Sequence, residues 1–347
     1  MKILITGITG RIGTNIAKTF IKSGHEITGF VWQDDPQAEK MRNLGCEVIE
    51  GDLENFDDVL KAVNQQQIVF HLGAAFQAGG PFSPNQYFDI NVKGTFNVLQ
   101  ACSQTATIEH VIATSTDSTI SKYPVGGLTE SIKEFSLPQD EVGWYGYSKI
   151  LSENLCRRFF KADKVPVSIL RFSMVLGRGE VCGWAQFYTG NYINTLSNLN
   201  DESLSQSLKE LNQNKNDGKE LIIVNDVNGR PWKKHVVDIR DIVHAYEMMT
   251  NNTNTFGKTY QIAGKSSFTW DEAIVKLSET LNLDYCSVNL PITSTFYEFD
   301  LSLAKNDFNY SPNWGIVEMI EDDFSFNDGE AGDVEPAEEK FRRGYKI

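Results

Sequence analysis

The first thirteen residues, Met-Lys-Ile-Leu-Ile-Thr-Gly-Ile-Thr-Gly-Arg-Ile-Gly, constrain the fold most, because an apolar strand runs directly into Gly7, Gly10 and Gly13. Gly7 permits a tight turn, Gly10 leaves no Cβ between the backbone and a bound group, and Gly13 lets the next helix lie close to the strand. Such a turn brings backbone N–H groups and a helix N-terminus to one point, which suits a pyrophosphate. A plain glycine-rich turn is the alternative reading.

The surroundings of the glycines favour dinucleotide binding over a plain turn. An amphipathic pattern (Ile12, Ile16, Phe20) follows them, and a second strand, Glu26–Val31, closes a βαβ unit of the expected length. The residues predicted to line this loop are Gly7, Thr9, Gly10, Arg11, Ile12 and Gly13.

Strand and helix patterns alternate from the N-terminus to Gly177, which predicts an α/β fold with a doubly wound, Rossmann-like parallel sheet. Ligands of such sheets lie at the carboxyl ends of the strands. The predicted strands are Lys2–Thr6, Glu26–Val31, Glu47–Ile49, Ile68–Leu72, His110–Thr114 and Val167–Phe172.

After Gly177 the pattern changes to a polar insertion that retains aromatic residues, and we expect it to fold over the ligand edge of the sheet as part of a smaller substrate lobe. A strand at Tyr260–Ala263 returns to the sheet. The acidic end of the chain, from about Ile316, is expected to wrap the surface or to be partly disordered. The predicted divisions are 1–177 (dinucleotide-binding domain), 178–234 (insertion), 235–264 (return), 265–315 (substrate lobe) and 316–347 (acidic tail).

Charge and composition exclude several classes of function. The chain has 347 residues and a net charge of −14, but ten acidic residues fall between Glu318 and Glu339, where there is no Lys or Arg. The remainder therefore carries only about −4, and a field that would attract nucleic acid or an anionic membrane is absent. Five widely spaced cysteines, with no apolar leader and no run of eighteen apolar residues, predict a cytoplasmic protein that does not enter a membrane. The five histidines share no ligand spacing, so no metal is expected.

Tyr145 and Lys149 are the first candidate catalytic pair, because residues four apart on a helix lie on the same face. An ammonium beside a phenol favours the phenolate and lowers the pKa of the Tyr, which could then exchange a proton with a substrate oxygen. Chance pairs of this type are common. The hydroxyl-rich run Thr114-Ser-Thr116 at the end of a predicted strand adds weight, since it would reach the same edge, although hydroxyls there also form turns.

Taken together, these motifs resemble the extended branch of the short-chain dehydrogenase/reductases, also called the NAD-dependent epimerase/dehydratase family. The resemblance extends from Met1 to about Trp314. It is carried by Thr6-Gly-Ile-Thr-Gly-Arg-Ile-Gly13, Gly51-Asp-Leu53, Val69-Phe-His-Leu-Gly-Ala-Ala75, Asn91-Val-Lys-Gly-Thr95, Thr114-Ser-Thr116, Tyr145 with Lys149, Leu170-Arg-Phe172 leading to Gly177, and Val237-Asp-Ile-Arg-Asp-Ile-Val243.

The resemblance implies roles for individual residues. Tyr145 would be the acid/base, Lys149 would hold the nicotinamide ribose and lower the pKa of Tyr145, and Thr116 would bind the reacting oxygen. The implied cofactor contacts further along the chain are Asp52 and Leu53 beside the adenine, Ala74 and Ala75 beside the nicotinamide, and Leu72, Thr114 and Phe172 at strand ends. The family also implies a homodimer, to which the apolar faces of Pro84–Thr105 and of the helix after Tyr147 could contribute.

Asp117 and Ser118 depart from the usual family pattern. Asp117 after Thr116 is similar to nucleotide-sugar dehydratases, in which an Asp and then a Glu act in elimination, but Ser118 stands where that Glu would be. Elimination by two carboxyl groups is therefore in question. A catalytic carboxylate and a loop-capping carboxylate remain equal alternatives for Asp117.

The cofactor is expected to be NAD or NADP, with NAD favoured. NAD enzymes place a carboxylate at the end of the second strand and NADP enzymes an Arg, whereas this chain reads Val31-Trp-Gln-Asp-Asp35. Arg11 could approach a 2′-phosphate. Asp34 and Asp35 would repel one.

The insertion supplies the candidate substrate contacts. Lys234, with Arg230 and Lys233 near it, falls where sugar-nucleotide relatives often carry an Arg that clamps the pyrophosphate, and cations there suit a diphosphate. A solvated basic turn is the alternative. Trp184 could stack on a base or sugar, or belong to the core of the lobe. The predicted substrate contacts are Thr116, Asp117, Ser118, Arg178, Trp184, Arg230 and Lys234.

These observations predict an enzyme that transfers hydride at a secondary alcohol or ketone of a small-molecule sugar, with nucleotide-linked sugars favoured. Epimerisation, dehydration and net dehydrogenation all remain open. A second hypothesis replaces the sugar with a non-nucleotide carbonyl or alcohol. A third, a protein that senses NAD(P) without chemistry, ranks last because both Tyr145 and Lys149 are present.

Overall fold

The computed structural model describes residues 1–76, 82–199, 201–327 and 334–335, without the side chains of Ser203 and Asn327. Of the predicted tail 316–347, residues 328–333 and 336–347 lie outside this part. Among the described residues, each helix is too short or too polar to span a bilayer. The five cysteines are all buried and unpaired.

The strands begin and end close to the positions that the alternating pattern predicts. They are β1 (Lys2–Thr6), β2 (Glu26–Val31), β3 (Glu47–Glu50), β4 (Ile68–His71), β5 (His110–Thr116), β6 (Val167–Phe172), β7 (Met174–Leu176), β8 (Leu221–Asn225), β9 (Lys233–Lys234), β10 (Val236–Asp238), β11 (Thr259–Ile262), β12 (Phe268–Thr269) and β13 (Tyr285–Asn289).

The helices cover both faces of the sheet and form most of a second lobe. They are α1 (Arg11–Lys22), α2 (Ala38–Leu44), α3 (Phe56–Val63), α4 (Pro84–Gln86), α5 (Gly94–Gln104), α6 (Trp144–Asp163), α7 (Thr189–Asn198), α8 (Ser205–Asn216), α9 (Ile239–Met249), α10 (Trp270–Leu281), α11 (Ser302–Phe308) and α12 (Ile316–Asn327). A π-helical segment, Tyr87–Lys93, joins α4 to α5.

Seven parallel strands form the central sheet in the order β11-β6-β5-β4-β1-β2-β3. Because side chains alternate along a strand, Ile3 and Ile5 pack with α1 and α9 on one face, while Leu4 packs with α3, α5 and α6 on the other. The strand order reverses between β1 and β4, so their carboxyl ends open a crevice. The predicted doubly wound α/β fold is confirmed.

The insertion and the segment after β11 share a second hydrophobic core. Trp184, Phe187 and Trp270 meet edge to face or tilted, with ring centroids 4.9–5.9 Å apart. Two short strand pairs, β8 with β13 and β9 with β12, complete this lobe. The aromatic residues of the insertion are therefore packed inside the lobe. The domain divisions stated above remain a prediction.

The chain after Gly315 differs from the expected surface segment. Ile316, Met319 and Ile320 are buried against the second core, and their spacing places them on one face of α12. Asp323 is also buried, and its carboxylate accepts the backbone N–H groups of Gly179 and Cys182. The acidic composition concealed this amphipathic helix, in which the buried Asp323 lies on the same face as the apolar residues.

Candidate cofactor and catalytic site

The glycine loop between β1 and α1 has no room for side chains. Gly7 has a φ of +70°, and a Cβ there would lie 2.8 Å from the backbone nitrogen of Gly73. A Cβ on Gly13 would lie 2.4 Å from the carbonyl oxygen of Gly7. Gly10 caps α1 without any side-chain hydrogen bond, so the first N–H groups of the helix are left for another acceptor. This geometry fits the pyrophosphate of a dinucleotide.

Thr9 and Asp35 join the glycine loop to the segment after β2. The Thr9 hydroxyl donates to Oδ2 of Asp35 over 2.8 Å, and the backbone N–H of Gln37 donates to Oδ1 over 2.9 Å. Burial raises the pKa of Asp35, and these two hydrogen bonds oppose the shift. The structure thus brings a buried carboxylate to the glycine loop from a position four residues beyond the end of β2.

The Arg11 guanidinium already has partners within the chain, which argues against its binding a 2′-phosphate of NADP. The guanidinium pairs with Glu180 and donates to the carbonyl oxygen of Val175 over 3.0 Å. The same Glu180 carboxylate accepts the N–H of Gly177 over 2.6 Å. Arg11 therefore ties the start of α1 to the loop after β7. Ile12, the next residue, packs against the core under the sheet.

The loops after β3 and β4 place the other predicted cofactor residues. Asp52 accepts the N–H of Glu54 over 3.0 Å in a local turn. The Leu53 side chain contacts Ala75 and approaches the position a Cβ on Gly73 would take, at 2.9 Å. Leu72 is half-buried against the sheet core, and Ala74 lies between it and the buried Ala75.

Asn91 fixes the loop after β4, and the sequence analysis quoted it only as part of a motif. Its side-chain amide exchanges two hydrogen bonds with the backbone of Ala75, at 2.7 and 2.8 Å, and donates to the Ser148 hydroxyl over 2.9 Å. Asn91 lies in the π-helical segment, and such segments often occur at functional sites. The Ala75 loop is thereby fastened to α6, the helix that carries Tyr145.

Tyr145 and Lys149 lie in the first two turns of α6, which begins at Trp144. Strand β5 extends to Thr116, two residues beyond the prediction, and brings its hydroxyl beside the phenol of Tyr145. The ring of Tyr87 flanks the other side of Tyr145, with centroids 6.3 Å apart. The structure therefore brings Thr116 and Tyr145 together, and Lys149 follows one turn later on the same helix.

The pKa values of this pair differ from the sequence expectation. Burial raises the pKa of Tyr145 to about 12, the Thr116 side chain opposes the shift, and the charge of Asp117 adds to it. Burial lowers the pKa of Lys149 to about 8. Burial therefore sets the direction of the Tyr145 pKa in this structure, against the expected lowering, and the role of Lys149 in favouring the phenolate stays a prediction. At neutral pH the phenol is protonated and can donate to a carbonyl oxygen.

His71 lies on the other side of Lys149. Its ring nitrogens contact the hydroxyls of Thr6 at 2.9 Å and Thr95 at 3.0 Å. Burial and then the charge of Lys149 lower the pKa of His71 to about 3, so the imidazole is neutral. A neutral imidazole beside the ammonium avoids a second buried positive charge.

Thr114 and Phe172 face Tyr246 at the ends of β5 and β6. The Thr114 hydroxyl and the Tyr246 hydroxyl are 2.7 Å apart, and the Phe172 and Tyr246 rings meet edge to face with centroids 6.4 Å apart. Both predicted cofactor residues thus contact Tyr246 of α9.

Asp117 forms a buried ion pair that the sequence analysis did not find. The Lys122 ammonium lies 3.2 Å from Oδ1 of Asp117 and donates to its backbone oxygen over 3.0 Å. Both side chains are less than a tenth exposed. The rings of Tyr123 and Tyr297 cover Lys122, with the ammonium 4.9 and 5.7 Å from their centroids. A Lys five residues after the Asp was the available signal, and its burial could not be read from the pattern.

Lys234 and Trp184 meet on the substrate side of the sheet. The Lys234 ammonium lies 4.9 Å from the centroid of the Trp184 ring and donates to Gln186 Oε1 over 3.1 Å. Both residues are less than a tenth exposed. The basic turn expected as an alternative is therefore excluded for Lys234, whereas Trp184 belongs to the lobe core and also offers one ring face to the ammonium.

The other predicted substrate residues have partners of their own. Arg178 lies against Asp322 at 3.2 Å and over the Phe326 ring. Arg230 donates to Asp226 over 3.1 Å and to the Gly126 carbonyl over 2.6 Å.

Ser118 lies in the short turn after β5, which the Thr116 side chain caps. Its N–H donates to the Thr116 hydroxyl over 3.2 Å, and its carbonyl oxygen would lie 2.4 Å from a Cβ on Gly146, so it packs against the start of α6.

The comparison with known families agrees with this geometry. Residues 3–263 match the NAD dependent epimerase/dehydratase family, which includes the glycine loop, Thr116, Tyr145 and Lys149. The chain belongs to this family. The resemblance inferred from the sequence motifs is therefore confirmed.

Individual proteins resemble this chain either in part of its sequence or in its whole fold. A 2-alkyl-3-oxoalkanoate reductase of Stenotrophomonas maltophilia is 32% identical over 182 residues, which cover 52% of each chain. The chain spans about half the length of the curated relatives that it matches first. A short-chain dehydrogenase/reductase superfamily protein of Agrobacterium tumefaciens with bound NAD superposes with a TM-score of 0.80 at 23% identity, covering 94% and 97% of the two chains.

A UDP-glucuronic acid 4-epimerase of Bacillus cereus, in complex with UDP-glucuronic acid and NAD, superposes with a TM-score of 0.71 at 21% identity, covering 94% and 99% of the two chains. At these identities the structural likeness establishes the fold.

Proposed function

We propose that this protein is an NAD-dependent enzyme that transfers hydride at a secondary alcohol or ketone of a sugar, with nucleotide-linked sugars as the favoured class. The observation that carries the proposal is the meeting of Tyr145 and Thr116 at the end of β5, beside a crevice that begins at the glycine loop. Epimerisation, dehydration and net oxidation or reduction all follow from this arrangement and differ in what happens after the first transfer.

The described residues fit a dinucleotide. The uncapped start of α1 and the glycine cradle would hold the pyrophosphate, and Asp35 would accept the ribose hydroxyls. Asp35 supports NAD over NADP because its buried carboxylate would repel a 2′-phosphate, while Arg11 is held by Glu180. The bound nicotinamide would supply or accept the hydride.

The chain itself would supply orientation and proton transfer. Thr116 donates a hydrogen bond to the reacting oxygen, and Tyr145 gives that oxygen a proton as a ketone is reduced. In the reverse direction Tyr145 removes the proton from the alcohol. The ammonium of Lys149, one turn further along α6, stabilises the phenolate that the reduction step leaves behind.

Two relatives indicate the range of substrates. The Bacillus cereus structure contains UDP-glucuronic acid, which supports a nucleotide sugar. The Stenotrophomonas maltophilia relative is a reductase of 2-alkyl-3-oxoalkanoates, which supports the second candidate function, reduction of a non-nucleotide ketone. Arg230 also favours the second candidate, because its guanidinium is already held by Asp226 and Gly126.

Substitution of Tyr145 by Phe tests the proposed chemistry. We expect Tyr145→Phe to lower turnover by about 10²- to 10⁴-fold while NAD binding stays within a factor of a few, since only the transferable proton is lost. Tyr147→Phe is the matched control, because Tyr147 lies two residues further along the same helix and is 44% exposed. Turnover is followed by nicotinamide absorbance and by chromatography of the sugar. Activity retained in Tyr145→Phe would refute the assignment.

The substrate class is tested with the wild-type protein. UDP-glucose and UDP-glucuronate are compared with 3-oxoalkanoates and free sugars in the presence of NAD or NADH. Turnover restricted to the UDP-sugars supports the first function, and turnover restricted to the others supports the second. Cofactor binding without any chemistry on either set would leave the NAD-sensing alternative.

We also infer a homodimer formed through α5, α6 and the π-helical segment. Phe88, Phe96 and Tyr147 on these elements are 39–47% exposed, which is a large apolar exposure on neighbouring helices. Sedimentation velocity should give twice the chain mass of 39.0 kDa for the wild type. The double variant Phe88→Glu/Phe96→Glu should sediment as a monomer, and a monomeric wild type would contradict the inference.

A further inference from the structure

Lys234 carries a buried charge whose described contacts are all uncharged. Its ammonium contacts the amide oxygen of Gln186 at 3.1 Å, the sulfur of Met174 at 3.8 Å and the face of Trp184 at 4.9 Å. Among the described residues, no carboxylate lies within ion-pair distance of it. A buried ammonium is costly unless an anion accompanies it. Burial accordingly lowers the pKa of Lys234 to about 8, against the opposing charge of Asp117.

The acidic group whose charge acts on Lys234 already has a cationic partner. Asp117 acts on Lys234 electrostatically, but its carboxylate lies 3.2 Å from the Lys122 ammonium. Asp117 and Lys122 together carry no net charge, so the three side chains leave one uncompensated positive charge when all are ionised. An anion of single charge would complete the group.

The ammonium lies at the ligand edge of the sheet. Met174 begins β7 two residues after β6 ends, and Asp117 directly follows the last residue of β5. The charge of Asp117 acts on Tyr145 as well as on Lys234. The phenol and the ammonium therefore lie in the same region of the ligand edge, near one carboxylate.

The chemistry of the donors distinguishes a carboxylate from a diphosphate. Diphosphates are usually bound by a bidentate Arg or by several backbone N–H groups. Three other cations of this region already have carboxylate partners among the described residues: Lys122 pairs with Asp117, Lys233 with Glu298, and Arg230 with Asp226. The Arg230 guanidinium also lies 3.9 Å from the centroid of the Phe296 ring. A single ammonium that lies on an aromatic face suits a ligand group with a single negative charge.

We propose that Lys234 binds a carboxylate group of the substrate, so that this protein acts on an acidic substrate such as a uronic acid, either free or nucleotide-linked. The proposal rests on the proposed function for the position of the reacting carbon. Trp184 and Met174 form the apolar wall of this subsite. Lys234 is thus a specificity residue rather than a diphosphate clamp.

Binding to the NAD-saturated full-length protein tests the proposal by calorimetry. The probes are two matched pairs, UDP-glucuronate with UDP-glucose and glucuronate with glucose. We expect the wild type to bind at least one acid at least tenfold more tightly than its neutral partner. Lys234→Gln should abolish that preference, and Lys234→Arg, which keeps the charge, should retain part of it and show that the site folds. Lys233→Gln is the control, since Lys233 pairs with Glu298 at 2.8 Å and should leave the preference intact.

The two ligand pairs distinguish a carboxylate subsite at Lys234 from a diphosphate site. If Lys234→Gln weakens UDP-glucose as much as UDP-glucuronate, Lys234 serves the diphosphate and the proposal is overturned. Equal affinity for acid and neutral partner, failure of both acids to bind, or a preference that survives in Lys234→Gln also overturns it. Because the readout is binding, loss of the proposed function would appear separately, as acid preference without any hydride transfer in the parallel absorbance assay.

Discussion

Glu153 and Arg171 form two parallel hydrogen bonds, from Nε to Oε1 and from Nη2 to Oε2, each 2.7 Å long, with both side chains at most 1% exposed. The pair joins α6 to β6. The hydroxyl of Ser115 on β5 donates to the same carboxylate over 2.7 Å. The helix that carries Tyr145 is therefore fastened to the strand that ends at Thr116.

Replacing Arg171 by Met should leave this carboxylate buried without its main partner. We expect a loss of about 3–5 kcal/mol in the free energy of unfolding, measured by urea denaturation. Arg158→Met is the control, because its pair with Asp163 is largely exposed and should be worth at most about 1 kcal/mol. Equal losses in the two variants would show that the buried pair has no special structural role.

A methyl group on Gly13 should disturb the glycine loop. Its Cβ would lie 2.4 Å from the Gly7 carbonyl oxygen, so we expect Gly13→Ala to cost about 1–3 kcal/mol of stability and to abolish NAD binding. Gly190 lies in α7 with no atom within 4 Å of a Cβ, and Gly190→Ala should instead gain up to about 1 kcal/mol. Thermal unfolding and NAD titration measure both effects, and unchanged NAD affinity in Gly13→Ala would contradict the loop assignment.

The cofactor preference should depend on Asp35 and not on its neighbour. Asp35→Asn removes a charged acceptor, so we expect NAD to bind about 10- to 100-fold more weakly and discrimination against NADP to shrink. Asp34→Asn is the control, because Asp34 is exposed and its φ of +59° suits Asn equally well. Titration with both dinucleotides decides the question. NAD affinity unaltered by Asp35→Asn would assign the ribose to another group.

His110 should make stability fall in mild acid. Ser168 Oγ lies 2.9 Å from Nε2 of His110 and donates to Thr255, so Nε2 is the protonated nitrogen, and Nδ1 has no partner among the described residues. Burial lowers the pKa of His110 to about 3.

The unfolded chain therefore takes up a proton below pH about 6.5 that the native state refuses until pH about 3. Because of His110, the free energy of unfolding should fall by about 1.4 kcal/mol for each pH unit as the pH decreases from about 6.5 to about 3. Urea denaturation at several pH values should show a shallower fall for His110→Gln than for the wild type. Parallel curves would mean that His110 does not carry this dependence.

Sequence patterns over short segments were sufficient to predict the sheet and the residues whose relation depends on one helix or one turn. Alternating apolar strands and helical periods predicted β1 to β6 to within two residues, because side-chain period and turn chemistry are properties of neighbouring residues. The spacing of Tyr145 and Lys149, four apart on one helix, predicted that they share a face. The helix α12 was missed because its acidic composition outweighed the apolar spacing of Ile316, Met319 and Ile320.

The contacts between distant segments could not be predicted in this way. Lys122 and Asp117 are close in the chain, but their pair is buried with the rings of Tyr123 and Tyr297 over the ammonium, and Tyr297 comes from a distant part of the chain. Asp35 reaches Thr9 through a turn after β2 that no motif specified.

The amino-acid sequence alone determined the parallel sheet, the glycine loop and the identity of the groups that can exchange a proton, since each depends on residues near one another in the chain. The tertiary structure decided which charges are buried and what accompanies them, and with that the direction of the pKa shifts of Tyr145, Lys149 and Lys234. Desolvation depends on atoms contributed by every element that packs around a group, so it becomes defined only when the whole chain has folded.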